Sequence, residues 1–378
     1  MARTTDRTAR YPVISADSHV NEPHDLWYER LPASRRDRAP RRIQQTSDGP
    51  WEIVLDGAPL GWAQLSAEEA QRMEAEREAE ASLDVRLAML ERDGVDAEMV
   101  FPTIGLYAWS LADGELGAAV CRTYNDWMRE RLVGQSSRVR VAAMIPTWSV
   151  DEAIAEVERA ASTGFAAALL PLVGTPAWNH RQWEPLWSAI TASGLPAAMH
   201  QGTGHDMVWF RGPGAPTANL VATQALAPSV ATVLAASGVL EHHPELHVVL
   251  VEVNTGWIAW TAHTADEYYL AHSHWVKPKL RALPSQYLLT QVHATFQRDP
   301  VGVANRALTG TDCLMWGGDY PHPETTYPDS AAVLRSLFED VDDADAAAIA
   351  GGNAARVFDF DVAAVRAAVG ASTSGSAG

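Results

Sequence analysis

The stretch "ADSHVNEP" places Asp17 and His19 two residues apart, directly after the apolar run "YPVIS". Side chains two apart on a strand project to the same side, so a carboxylate and an imidazole leave the strand end together. Two other segments carry matching chemistry: "AAMHQGTG" with His200, and "WGGDYPHPE" with Asp319 after two glycines that leave room for close approach. Two carboxylates and two imidazoles suit one divalent cation bound through nitrogen and oxygen, with a position left open for water or substrate. Each residue alone also has a structural reading: Asp17 and His19 in a capping turn, His200 as a satisfied core histidine, Asp319 as the cap of the turn before Pro321. Their joint occurrence at the ends of apolar runs points to a site.

Eight such runs must position them. They are 13–20, 97–102, 139–146, 166–172, 195–201, 247–253, 288–296 and 313–321, and helical patterns separate them from residue 82 onward. Several of these helices open on Ser, Asp or Pro and close on Gly, as caps require. Strand and helix in alternation predict an α/β fold, a single (β/α)8 TIM-type barrel spanning residues 11–362, with the polar residues at the C-terminal ends of its strands. A doubly wound open sheet is the alternative, but no G-x-G-x-x-G follows the first run. The first connection, about 28–81, is abnormally long; "WEIVLDGAPLGW" alternates around a Gly and predicts a β-hairpin insertion, followed by a charged helix. Residues 1–10 and 363–378 are expected as a disordered N-terminus and a flexible tail.

Composition excludes several classes. With 47% hydrophobic and 20% charged residues, the chain has the material for a core. A net charge of −18 disfavours nucleic acid, and the basic run Arg35 to Arg42 reads as a solvated loop with no aromatic stacking platform. Cys121 and Cys313, the only two cysteines, read as free thiols of a cytoplasmic protein. No run approaches the roughly 18 apolar residues of a membrane span.

Three motifs, "DSHVNEP", "MHQG" and "GGDYPHPE", with "GNAARVF" near the C-terminus, resemble the amidohydrolase-2 branch of the amidohydrolase superfamily over residues 12–360. That branch holds aminocarboxymuconate-semialdehyde decarboxylase-like and resorcylate-type decarboxylases, hydratases and hydrolases. The resemblance implies one metal held by Asp17, His19, His200 and Asp319, with Asp319 also in a catalytic role, and a homodimer. Family members often open with H-x-H, and Asp17 stands at the first position here. Two ligand carboxylates neutralise a divalent ion, so Mn²⁺ or iron competes with Zn²⁺, the first expectation. "AAALLPLVG" offers no lysine to bridge two metals. At the sixth run the chain has Glu252 where many relatives have a catalytic histidine; we read it as a proton-handling group outside the ligand set, with a helix-capping carboxylate as its structural reading. His322 and His205 follow proposed ligands closely enough to orient water or substrate.

For the substrate, Arg211 and Arg298 are the cations nearest strand ends, and Trp209 and Trp257, with Trp109 and Trp316, predict an apolar pocket. Net acidity and aromatic lining favour a largely apolar or aromatic small molecule. The first expectation is hydrolysis of its amide, ester or thioester carbonyl; non-oxidative decarboxylation of an aromatic or enolic acid is the alternative, and a metal-free binding barrel the second alternative.

Overall fold

A computed structural model describes residues 11–44, 51–65 and 82–375. Eleven strands are present among them: β1 (Ile14–Val20), β2 (Arg41–Gln44), β3 (Trp51–Leu55), β4 (Ala58–Leu65), β5 (Ala97–Pro102), β6 (Val139–Met144), β7 (Ala167–Pro171), β8 (Ala197–His200), β9 (Val248–Val251), β10 (Val292–Phe296) and β11 (Leu314–Trp316). Strands β1 and β5–β11 form one eight-stranded parallel sheet in sequential order, each strand inside one of the eight predicted runs. Every residue of these strands is buried except Arg140, as expected where helices cover the outer face and side chains fill the inner one.

The seam between the first and last strands closes through the loop after β11. Asp319 N donates to Asp17 O at 2.8 Å and His19 N to Tyr320 O at 2.6 Å. The barrel is therefore sealed at the two segments that carry candidate ligands.

Between strands run the predicted helices. Ser149 caps Val150–Thr163 by accepting from Glu152 N, and Gly164 ends it with φ of 92°. Asp113 caps Gly114–Arg131 by accepting from Glu115 N and Leu116 N. These are local sequence rules at work: a side-chain oxygen satisfies the first orphan N–H groups, and glycine takes the left-handed exit.

The insertion is an antiparallel sheet in the order β2-β3-β4, one strand more than a hairpin, with its β3–β4 turn at Asp56 and Gly57, both at positive φ. The charged helix expected after it and the N-terminal ten residues lie outside the described residues. The C-terminal segment departs from expectation: Val362–Gly375 is a helix, because its alanines favour helix and Val365 is anchored in the core.

Two further expectations are corrected. The basic run is not uniformly solvated: Arg35 and Arg38 pair with Glu115, Asp56 and Asp113 at the surface, but β2 carries Arg42 into a buried position. The helical run Ala215–Ala236 is long and apolar enough to cross a bilayer by length and composition alone. Its Pro, Gln and Thr residues hide this in the sequence. In the fold it is two helices between β8 and β9, Ala215–Gln224 and Ala227–Ala236.

Candidate metal centre

The strand ends converge as their sequence positions require. His19 Nε2 lies 3.4 Å from Asp17 Oδ1 and 3.4 Å from Asp319 Oδ1, and His200 Nε2 lies 3.1 Å from His19 Nε2. Glu252 joins them, its Oε2 being 3.5 Å from His200 Nε2. Donor atoms of Asp17, His19, His200 and Glu252 all fall within 4.8 Å of one another, as do those of His19, Glu252, Asp319 and His322. His322 stacks on the His19 ring at 3.9 Å between centroids, and its Nδ1 lies 3.1 Å from Asp319 Oδ1.

The hydrogen bonds around the cluster set its chemistry. His19 Nδ1 faces Pro102 O at 2.8 Å and His200 Nδ1 faces Gln201 O at 2.9 Å. A carbonyl can only accept, so each imidazole carries its proton on Nδ1 and turns the lone pair of Nε2 inward. Two lone pairs facing each other at 3.1 Å repel unless a positive charge lies between them. Asp17 Oδ1 and both Asp319 oxygens are buried without a well-aligned donor. Burial of this kind is costly for polar groups unless compensated.

Electrostatics agree. Burial pushes the carboxyls of Asp17, Glu252 and Asp319 above the usual carboxylate range, and Asp319 and Asp17 each raise a neighbour further. Burial also pushes both imidazoles down, helped by the nearby His322 for His19 and by His19 for His200, which falls to about 3. Three buried carboxyls and two inward-facing imidazole lone pairs thus converge, and among the described residues no lysine or arginine stands between them. That donor set fits a divalent ion, and Glu252 lies close enough to the other donors to share in holding it.

The backbone is strained where it matters. Glu252 and Asp319 both have positive φ, 61° and 55°, in non-glycine residues, a conformation that costs of order 1–3 kcal/mol and concentrates at functional sites. Supporting residues hold the donors. Thr295 Oγ1 accepts from Glu252 N at 2.7 Å and lies 3.3 Å from Asp17 Oδ2. Gln201 Nε2 donates to Glu252 Oε1 at 2.9 Å, and Thr223 Oγ1 donates to Gln201 Oε1. Behind β1, Arg86 binds both oxygens of Glu98 and the carbonyl of His19. Thr295 and Arg86 carry no local motif that marks them. Gln201 was findable as the residue directly after His200.

A cavity of about 250 Å³ adjoins the cluster, lined by Glu252, Gln201, Asn254, Gln297, Arg298 and Glu324 among others. Its polar walls differ from the apolar pocket expected. Arg298 lines it and also donates to Glu324 O and Thr325 O, which fixes the loop after β11. Arg211 is exposed, and Trp209 stacks on His205 in an exposed loop, with His205 Nδ1 bound to Asp206 O. Trp257 donates to Val253 O and Asn254 O and so braces the turn after β9; Trp316 is fully buried. None of Trp209, Trp257, Arg211 and His205 is among the residues lining this cavity.

With this geometry in place, the class is defined. The chain belongs to the amidohydrolase family, whose Amidohydro_2 profile matches residues 16–360. Among curated proteins none matches in sequence. Similar solved structures include an amidohydrolase of Mycobacterium avium subsp. paratuberculosis (17% identity, TM-score 0.73, covering 92% of this chain and 99% of that one). Another is 5-carboxyvanillate decarboxylase of Sphingomonas paucimobilis (20% identity, TM-score 0.68, 93% and 99%). A third is a dihydroxybenzoic acid decarboxylase of Polaromonas sp. JS666 with bound manganese and the inhibitor 2-nitroresorcinol (17% identity, TM-score 0.62, 93% and 98%).

Proposed function

We propose that this protein is a divalent-metal-dependent carboxy-lyase that removes CO₂ from an aromatic or enolic carboxylic acid. The observation that carries the reading is the buried donor cluster beside a polar cavity bearing Arg298. Asp17, His19, His200, Glu252 and Asp319 would hold the ion. Bound there, it would orient the substrate carboxylate and an adjacent oxygen and draw electron density from the ring.

The rest falls to the chain's own groups. Breaking the ring–carboxylate bond leaves its electron pair on the ring carbon, which must take a proton as CO₂ departs. Asp319 is the buried carboxyl placed to give it, and His322 Nδ1, 3.1 Å from Asp319 Oδ1, is the half-buried group placed to replace it from solvent. Arg298, at the cavity wall, would attract the anionic substrate. Decarboxylases of aromatic acids among the similar structures support this reading, and manganese in one of them supports Mn²⁺ beside Zn²⁺.

Hydrolysis, the first expectation from sequence, stands second because decarboxylases of aromatic acids among the similar structures support the carboxy-lyase reading, and the cavity beside Glu252 is polar. The test is a panel of hydroxybenzoic acids, amides, esters and thioesters offered to Mn²⁺-loaded protein. CO₂ release from a hydroxybenzoate supports the carboxy-lyase; turnover confined to amides or esters overturns it.

A further inference from the structure

We propose a second ligand site on the catalytic face: a cavity among the loops after β5, β6 and β7 that takes a neutral, planar aromatic group. It measures about 370 Å³, within the range of small-molecule sites, and it shares no lining residue with the cavity beside Glu252. Its walls include Trp109, Trp148 and Trp183 with Leu111 and Val173, and Thr147 and Gln182 supply polar groups.

Among the described residues no charged side chain lines it, so a carboxylate entering would lose water and gain no counter-charge from them. A flat apolar ring suffers no such penalty and gains contact with indole carbons. The three indole N–H groups are already engaged: Trp109 with Ile145 O at 3.3 Å, Trp148 with Leu111 O at 3.0 Å, and Trp183 with Pro176 O at 2.9 Å. Each bond ties an indole to backbone, which holds the walls in place before any ligand arrives. The indole donors being taken, these three side chains recognise a ligand by ring stacking and apolar contact, while a polar group on its edge would meet Thr147, Thr175 or Gln182, which share the lining.

The sequence gives up helix propensity to build this wall. Gly114 and Gly117 open the helix Gly114–Arg131, and a Cβ on either would stand 2.8 Å from Trp148 Cβ or 2.4 Å from its Cη2. Glycine is the poorest helix former after proline, so two of them facing one indole are there for the space they leave. On the opposite side, a Cβ on Gly204 would meet Val173 O at 2.2 Å, which packs the loop after β8 directly against the wall. One segment reaches both sites: Thr103 Oγ1 lies 3.3 Å from His322 Nε2, and Trp109 and Leu111 follow in the same loop.

The experiment is calorimetric titration of the metal-loaded full chain with 2-naphthol, compared with the non-planar 2-decalol. Binding of 2-naphthol about tenfold tighter than of 2-decalol is expected. Ala112→Phe and Gln182→Trp each fill the cavity from an exposed lining position and should weaken 2-naphthol about tenfold or more while metal content stays unchanged. His200→Ala should leave 2-naphthol binding intact. The readout is heat of binding and not turnover, so failure of the carboxy-lyase reading leaves this test standing. Absence of binding, equal affinity for 2-decalol, indifference of both filled variants, or loss of binding in His200→Ala would each overturn the proposal.

Discussion

Gly317 sits where the barrel seam meets the candidate metal centre, and replacing it with Ala is a direct test of how the candidate ligands are positioned. A Cβ there would stand 2.5 Å from Asp17 Cβ, 3.1 Å from Asp17 N and 3.3 Å from Asp17 Cα. Carbon atoms pack at about 3.5–4.0 Å, so about 1 Å must open between β1 and the loop after β11. Neither side yields easily: β1 is buried along its length, and Asp319 N is bonded to Asp17 O. Overpacking of this kind costs about 1–3 kcal/mol. Because Asp17 Oδ1 lies 3.4 Å from His19 Nε2, the same shift misplaces a ligand carboxylate. A loss of about 10–100-fold in metal affinity follows, the scale seen when ligand orientation is disturbed. Calorimetric titration of Mn²⁺ into metal-free Gly317→Ala, paired with its thermal melt, reads both effects. An affinity within about twofold of the parent, with an unchanged melt, would refute the reasoning.

Three further outcomes are expected. Arg86→Met removes the partner of a buried Glu98 carboxylate and should destabilise the fold by about 3–5 kcal/mol in urea denaturation, with Glu98→Met in the same chain recovering much of it; a neutral single variant would show that the pair does not brace β1. Burial holds His293 down to about 3 from an ordinary 6.5, so the unfolded chain binds a proton there that the folded chain does not. Stability from this group is complete above about pH 6.5 and is lost as pH falls towards 3, at up to about 1.4 kcal/mol per pH unit. His293→Gln should flatten the acid limb of the stability curve measured on metal-free protein; an unchanged slope would remove His293 as its source. Glu252→Gln, with Glu252 inside the donor cluster, should weaken Mn²⁺ binding about tenfold or more and cut turnover about 10²-fold. Full metal affinity with lost turnover would return Glu252 to a purely proton-handling role.

The barrel was legible because each of its eight strands lies in a short apolar run, and helix signals such as Ser149 and Gly164 punctuate several of the segments between them. The candidate ligands Asp17, His19, His200 and Asp319 stood out for a related reason: a polar or charged residue ending a buried strand is a local contradiction, and function is the usual resolution. Glu252 was legible as a position, but nothing local says that its backbone turns to positive φ and brings its carboxylate 3.5 Å from His200 Nε2. Arg86 and Thr295 act through contacts between separate elements, Arg86 with Glu98 and His19 O and Thr295 with Glu252 and Asp17, which no single stretch displays. The tryptophans show the same limit. Their abundance was plain, yet whether an indole braces a turn, as Trp257 does, or lines a cavity, as Trp109 does, depends on which carbonyl its N–H meets.

Elemental analysis of the purified protein, after reconstitution with Mn²⁺ and removal of free ion, tests the metal centre most directly. One equivalent of bound metal per chain in the parent, and little or none in His200→Ala, is the result expected from Nε2 lone pairs and unsatisfied carboxylates converging at the mouth of the barrel. A parent chain that binds no metal, or a His200→Ala variant that retains a full equivalent, would contradict a centre built on Asp17, His19, His200, Glu252 and Asp319.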